Sequence, residues 1–157
     1  MSKKILITGG KGQLGQTLYL NLRGLYKITN TSRTDFLDCM KLDISDTSQV
    51  KDVLSRCVPD IIINCASYNN VDKSEDNKRY ARNTIVSGLL NLINNSNKDC
   101  KIIHISSDYV FNGEKEKYLE TDIPNPINYY GKLKLEAENL LHSSNKNYAI
   151  IWCSVVF

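Results

Sequence analysis

Short apolar runs alternate with longer amphipathic runs along the 157-residue chain. Ile5-Leu6-Ile7, Ile61-Ile62-Ile63 and Ile102-Ile103 are continuously apolar, as strands covered on both faces should be. Leu14, Leu18 and Leu22 recur at helical spacing. The pattern predicts strands over 3–8, 26–31, 39–42, 60–64, 101–106 and 148–157. It predicts helices over 13–23, 46–56, 71–95 (in two pieces, with Leu89, Leu90, Leu92 and Ile93 buried) and 129–142. Gly24 is the expected stop of the first helix, Ser45 or Asp46 the cap of the second, and Pro59 a break. Too few residues separate the second and third strands for a crossover helix, so a loop is expected there. Residues 112–128 read as a polar loop containing Gly113, Pro124 and Pro126. Strands alternating with helices define an α/β fold with a parallel sheet.

Composition narrows the class without naming a function. The length suits a single domain able to bury about two-thirds of its unfolded surface. The chain is 41% hydrophobic and 24% charged, with a net charge of +3. Its Lys and Arg residues are scattered, which argues against nucleic acid and membrane partners. No apolar run approaches the length of a membrane span, and no signal peptide is expected. Cys39, Cys57, Cys65, Cys100 and Cys153 include no C-x-x-C pair, so they are expected as reduced core thiols in a cytoplasmic protein. No His/Cys/Asp cluster has metal-ligand spacing, and no metal is expected.

In an open parallel sheet, ligands bind beyond the carboxyl ends of the strands. Gly9, Gly12 and Gly15 follow the first strand and open a helix, a turn that brings backbone N–H groups close to a pyrophosphate. Ser32 and Arg33 follow the second strand, and Asp43 the third. Asn64, Cys65, Ala66 and Ser67 follow the fourth, and Ser106, Ser107 and Asp108 the fifth. Tyr130 and Lys134 share one helix face. An ammonium beside a phenol should lower its pKa and make it a usable acid for carbonyl reduction, with a nicotinamide supplying hydride. Roughly one Tyr-x-x-x-Lys is expected by chance in such a chain, so the weight lies in the order of glycine turn, Ser107, then Tyr130 and Lys134. His104, between Ile103 and Ile105, reads as a core or sheet-face histidine. Asp72, Lys73 and Glu75, and the run Glu114–Lys117, read as solvated charge.

These residues carry a resemblance. The stretches Ile7-Thr8-Gly9-Gly10-Lys11-Gly12-Gln13-Leu14-Gly15, Val71-Asp72-Lys73-Ser74-Glu75 and Ser107-Asp108-Tyr109-Val110-Phe111-Asn112-Gly113 occur in family order, followed by Tyr129-Tyr130-Gly131-Lys132-Leu133-Lys134. On them the chain resembles the extended short-chain dehydrogenase/reductases, most closely the dTDP-4-dehydrorhamnose reductase group. The resemblance implies a Rossmann-type doubly wound parallel sheet with helices on both faces. It implies Tyr130 as proton donor, Lys134 as its ribose-binding partner, and Ser107 as the hydroxyl beside them. Gly9, Gly12, Gln13, Leu14 and Gly15 would meet the pyrophosphate, and Asp43 and Ile44 the adenine. Ala66, Ser67, Tyr68 and Asn69 would line the cofactor, Asn83 would be the structural Asn, and Ser107 and Asp108 would reach substrate. Arg33, with Ser32, suits a 2′-phosphate and hence NADPH, while Asp35 leaves NADH open.

The implied activity is reduction of the 4-keto group of a nucleotide sugar in dTDP-rhamnose biosynthesis, with a homodimer left open. Two departures qualify it. Trp152-Cys153-Ser154-Val155 stands where the family carries Arg and then Thr-Ser-Trp. The family also continues well past this strand, so residues 1–157 are expected as an NAD(P)-binding domain without its C-terminal substrate domain. Two alternatives remain: a non-catalytic NADP-binding module resembling the methionine adenosyltransferase regulatory subunit, or an inactive gene fragment.

Overall fold

The computed structural model describes residues 2–154. Six strands form one sheet: β1 (Lys4–Thr8), β2 (Lys27–Ser32), β3 (Met40–Lys41), β4 (Ile61–Asn64), β5 (Lys101–Ser107) and β6 (Tyr148–Cys153). Their order is β3-β2-β1-β4-β5-β6 and every pairing is parallel. This is the doubly wound arrangement, with its switch point between β1 and β4. The predicted last strand begins at Tyr148 as expected, and its residues 155–157 lie outside the described residues.

Helices α1 (Gln13–Leu22), α2 (Thr47–Cys57), α3 (Val71–Asp76), α4 (Lys78–Arg82), α5 (Gly88–Asn95) and α6 (Tyr129–His142) connect the strands, with a π-helical turn over Asn83–Ser87. Leu6, Ile62 and Ile102 are fully buried under α2, α5 and α6, packed with Val50, Leu89, Leu92, Leu133 and Leu141. On the other face, Ile5, Ile7 and Ile63 meet Leu18, Tyr19 and Leu22 of α1. Helices therefore lie on both faces, as expected. Among the described residues no helix is long and apolar enough to cross a membrane.

Asp46 caps α2, its carboxylate accepting from the N–H groups of Ser48 and Gln49 at 2.9 and 3.1 Å. The β2–β3 connection is a loop, as the short spacing requires. The 71–95 segment forms two pieces as expected: Asn77 (φ −113°, ψ 50°) leaves helical geometry, and from Lys78 to Asn95 the backbone stays helical through the π turn. One reading changes. Leu90 is 38% exposed rather than buried, since it lies on the outer side of α5. Helix α1 stops before Gly24 as expected, without a left-handed cap there: Leu25 and Tyr26 both donate to the Leu22 carbonyl.

Candidate active site

The glycine turn is shaped by close backbone approach. Gly9 sits at φ 70°, and a Cβ there would lie 2.7 Å from the Ala66 nitrogen on the β4 loop. A Cβ on Gly15 would lie 2.5 Å from the Gly9 carbonyl oxygen. With both side chains absent, the turn closes on β4 and α1 begins at once. Gly12 caps α1 with no side-chain hydrogen bond, and the first turn carries no acid. Its N–H groups are thus left to a ligand, and the helix dipole favours an anionic one.

Two adjoining cavities open over the strand ends. The first, about 380 Å³, is lined by Gly12, Gln13, Leu14 and Gly15 on one side and Ser107, Tyr130 and Lys134 on the other. The second, about 310 Å³, is lined by Lys11, Ser32, Arg33, Thr34, Asp43, Ile44, Ala66 and Tyr68. Gly9, Gly12, Cys65, Ser67 and Asn69 border both and form a shared floor. The structure therefore brings together every residue expected to hold a dinucleotide. Asp43 lines the cavity with one carboxylate oxygen already accepting from the Ser45 N–H and hydroxyl, at 2.9 and 2.7 Å. The Arg33 guanidinium lies 5.4 Å from the Tyr80 ring centre, and Tyr80 meets Tyr68 edge-on at 5.1 Å. Lys11 Nζ donates to Thr34 Oγ1 at 3.2 Å, which places a second cation in the Arg33 corner.

Helix α6 presents the acid–base pair. Asn128 caps it through the Gly131 N–H at 2.7 Å, which fixes its first turn, where Tyr130 sits. Tyr130 is 7% exposed and Lys134 only 2%. Lys134 Nζ donates to the Ile105 carbonyl at 2.7 Å. Burial lowers the Lys134 pKa to about 8, opposed by the charge of Glu138. The expected depression of the Tyr130 pKa is not found: burial pushes the phenol up, while the nearby Ser67 and Ser107 hydroxyls pull it back. Ser67 Oγ itself is buried and makes no hydrogen bond of ordinary geometry. An unpaired buried hydroxyl costs about 1–3 kcal/mol, and at a cleft floor it suits a polar ligand.

Ser107 Oγ donates to Asp108 Oδ1 and accepts from the Tyr109 N–H, at 3.2 and 3.3 Å. Asp108 does not line the dinucleotide trough. It faces a neighbouring cavity of about 540 Å³ with Tyr109, Phe111, Tyr118 and Trp152. Asn83 lines neither half of the trough; its carbonyl accepts the Gly88 N–H in the π turn, and Thr84 lines the trough instead. Cys65 and Cys153, expected in the core, both line the first cavity. Their position directly at the ends of β4 and β6 was the available signal.

A doubly wound sheet with a glycine turn and a Ser–Tyr–Lys set on one edge defines the class: a Rossmann-fold domain of the dehydrogenase/reductase kind. The chain belongs to the RmlD substrate binding domain family, whose family model matches residues 3–157. It is 37% identical to a dTDP-4-dehydrorhamnose reductase of Aggregatibacter actinomycetemcomitans, covering 98% of this chain and 52% of that protein. It is 31% identical to the methionine adenosyltransferase 2 subunit beta of Danio rerio, covering 99% of this chain and 48% of that one. Among solved structures, dTDP-4-dehydrorhamnose reductase from Bacillus anthracis in complex with NADP superposes with a TM-score of 0.90 at 34% identity. That match covers 100% of this chain and 55% of the other. The chain spans about half the length of the curated relatives it matches.

Proposed function

We propose that the chain binds NADP(H) as the dinucleotide-binding unit, over residues 1–157, of a reductase acting on the 4-keto group of dTDP-4-dehydrorhamnose. The observation that carries this reading is that Ser107, Tyr130 and Lys134 share one cavity with the N-terminus of α1. The fit to a dinucleotide rests on the glycine cradle, which a Cβ would fill, and on the unpaired Ser67 hydroxyl. Gly12, Gln13 and Leu14 would hold the pyrophosphate, and Asp43 and Ile44 the adenine. Arg33 and Lys11 would hold a 2′-phosphate, which favours NADPH over NADH. The same reading carries a cytoplasmic setting and a homodimer.

NADPH, where bound, would supply the hydride that the carbonyl carbon accepts. Tyr130 would supply the proton to the carbonyl oxygen; a phenol is protonated at neutral pH in any case, and burial, by raising its pKa, makes it a weaker donor that depends on Lys134 and Ser107 to stabilise the phenolate it leaves. Ser107 holds the carbonyl oxygen beside the phenol. Lys134, one turn along α6, would anchor the ribose and offset the phenolate left after transfer.

Fluorescence titration of the folded chain with NADPH tests binding; no binding ends this reading. Absorbance-monitored NADPH oxidation with the dTDP-4-keto sugar tests turnover. Tyr130→Phe is expected to retain NADPH binding and to lose turnover by about 10²–10⁴-fold. A second reading has one observation in its favour, the 30–31% identity to methionine adenosyltransferase 2 beta subunits. There the chain would be a non-catalytic NADP-binding module. Capture of a methionine adenosyltransferase catalytic subunit, undiminished in Tyr130→Phe, together with no turnover, would favour it.

A further inference from the structure

Glu138 is a buried carboxylate on α6, 2% exposed, one turn beyond Lys134 and on the same side of the helix. Both of the hydrogen bonds it accepts come from neutral donors. The Ser106 hydroxyl reaches it from β5, and Trp152 Nε1 reaches it from β6 at 2.9 Å. The ion pairs within 4 Å among the described residues join other side chains, all of them at the surface. No cation touches Glu138 directly. Yet a carboxylate cannot be buried at low cost without a compensating charge nearby.

Lys134 has the matching problem. It is equally buried, and the hydrogen bond its ammonium makes is to the neutral Ile105 carbonyl. The ionisable groups facing it from other elements are the Cys65 thiol on the β4 loop, the Cys153 thiol on β6 and the His104 imidazole on β5. None of these carries a negative charge at neutral pH in its ordinary form. Glu138 is the one carboxylate acting on Lys134.

We propose that Glu138 is a positioning residue for Lys134: its carboxylate, clamped to β5 by Ser106 and to β6 by Trp152, is the counter-charge that keeps Lys134 an ammonium at the floor of the cleft. The two charges attract through one helical turn without touching. That arrangement leaves the ammonium free to meet a ligand instead of being consumed in an ion pair. Trp152 serves as a donor that holds the carboxylate while bringing no positive charge to compete with Lys134.

The experiment compares the chain with Glu138→Gln and Trp152→Phe. Gln keeps an oxygen able to accept from Ser106 and Trp152 and removes only the charge. NMR titration of ¹³C-labelled lysine, with Lys134 assigned by its absence in Lys134→Met, reads the ammonium without any ligand. In Glu138→Gln the Lys134 midpoint is expected to fall by about one pH unit or more. In Trp152→Phe, which leaves the charge in place, the midpoint is expected to hold. If Glu138→Gln does not fold, Glu138→Asp, which keeps the charge on a shorter arm, is expected to titrate near the unchanged chain. A Lys134 midpoint that is the same in Glu138→Gln, or lower in Glu138→Asp by as much as expected for Gln, overturns the inference.

An NADPH arm rests on the dinucleotide reading. Affinity should fall as pH rises through the Lys134 midpoint, and in Glu138→Gln that fall should begin at lower pH, with affinity several-fold weaker near pH 8. Absence of NADPH binding in every variant ends the dinucleotide reading and leaves the NMR result to decide on Glu138.

Discussion

Replacing Gly15 with Ala places one methyl group where there is no room, and the neighbours that would have to yield are backbone. The added Cβ would lie 2.5 Å from the Gly9 oxygen, 2.8 Å from the Gly10 Cα and 3.0 Å from the Gly9 carbonyl carbon. The Gly9 oxygen cannot retreat freely, because it accepts the Gly12 N–H at 2.9 Å and so closes the turn. Overpacking of this kind costs about 1–3 kcal/mol. Ala returns at most ~0.8–1.0 kcal/mol of helix propensity over Gly. The net loss is therefore about 0–2 kcal/mol, or a fall in Tm of up to about 8 °C for a chain of this size. Shifting the turn also withdraws the α1 N–H groups from the pyrophosphate position, so NADPH affinity should fall by about tenfold or more, equivalent to ~1.4 kcal/mol. Gly24→Ala is the control, since nothing lies within 4 Å of its added Cβ. It should be neutral, or stabilising by ~0.4–1 kcal/mol through the unfolded state. Thermal melts by circular dichroism and NADPH fluorescence titration measure both effects. If Gly15→Ala melts with Gly24→Ala and binds NADPH equally well, the close approach of α1 to the turn is not what shapes the site.

Arg33→Ala should weaken NADPH binding by about tenfold or more while leaving NADH nearly unchanged, as paired titrations would show; equal losses for both would place Arg33 away from the 2′-phosphate. His104 is held well below its ordinary pKa by burial, and further by the Lys134 charge. The unfolded chain therefore binds a proton at this residue below about pH 6.5 that the folded chain refuses, and stability should fall as pH drops through that value, by at most ~1.4 kcal/mol per pH unit. In His104→Asn that slope should flatten between about pH 6.5 and 5. An unchanged slope, read by denaturant titration at several pH values, would assign the acid sensitivity elsewhere.

Where the pattern was local, the sequence was easily read. Tyr129–His142 forms the predicted helix to the residue, because Asn128 supplies a cap and Leu133 and Leu141 supply a buried stripe. Continuous apolar runs located β1, β4 and β5 for the same reason. The 71–95 segment was read as two pieces, but the π turn over Asn83–Ser87 and the packing beyond it were not legible. Gly88 lets α5 approach so closely that a Cβ would lie 2.6 Å from the Ile44 side chain, a contact no spacing rule can show. The site follows the same division. Strand-end position brought Gly9, Ser67 and Ser107 together on paper, because a parallel sheet puts those ends on one edge; Tyr130 and Lys134 joined them through their spacing on one helix face and the family resemblance. The electrostatics were not legible. Sequence supplies the Tyr130–Lys134 spacing, but burial decides both pKa directions, and it pushes the phenol up.

The shared floor of the two cavities has a chemical consequence of its own. Cys65 lies there, and burial pushes its thiol up to about 12. Alkylation and peroxide attack proceed through the thiolate, which at neutral pH is then scarce by about five orders of magnitude. A sulfur atom at the floor of the cleft is thereby kept as a thiol and slow to react.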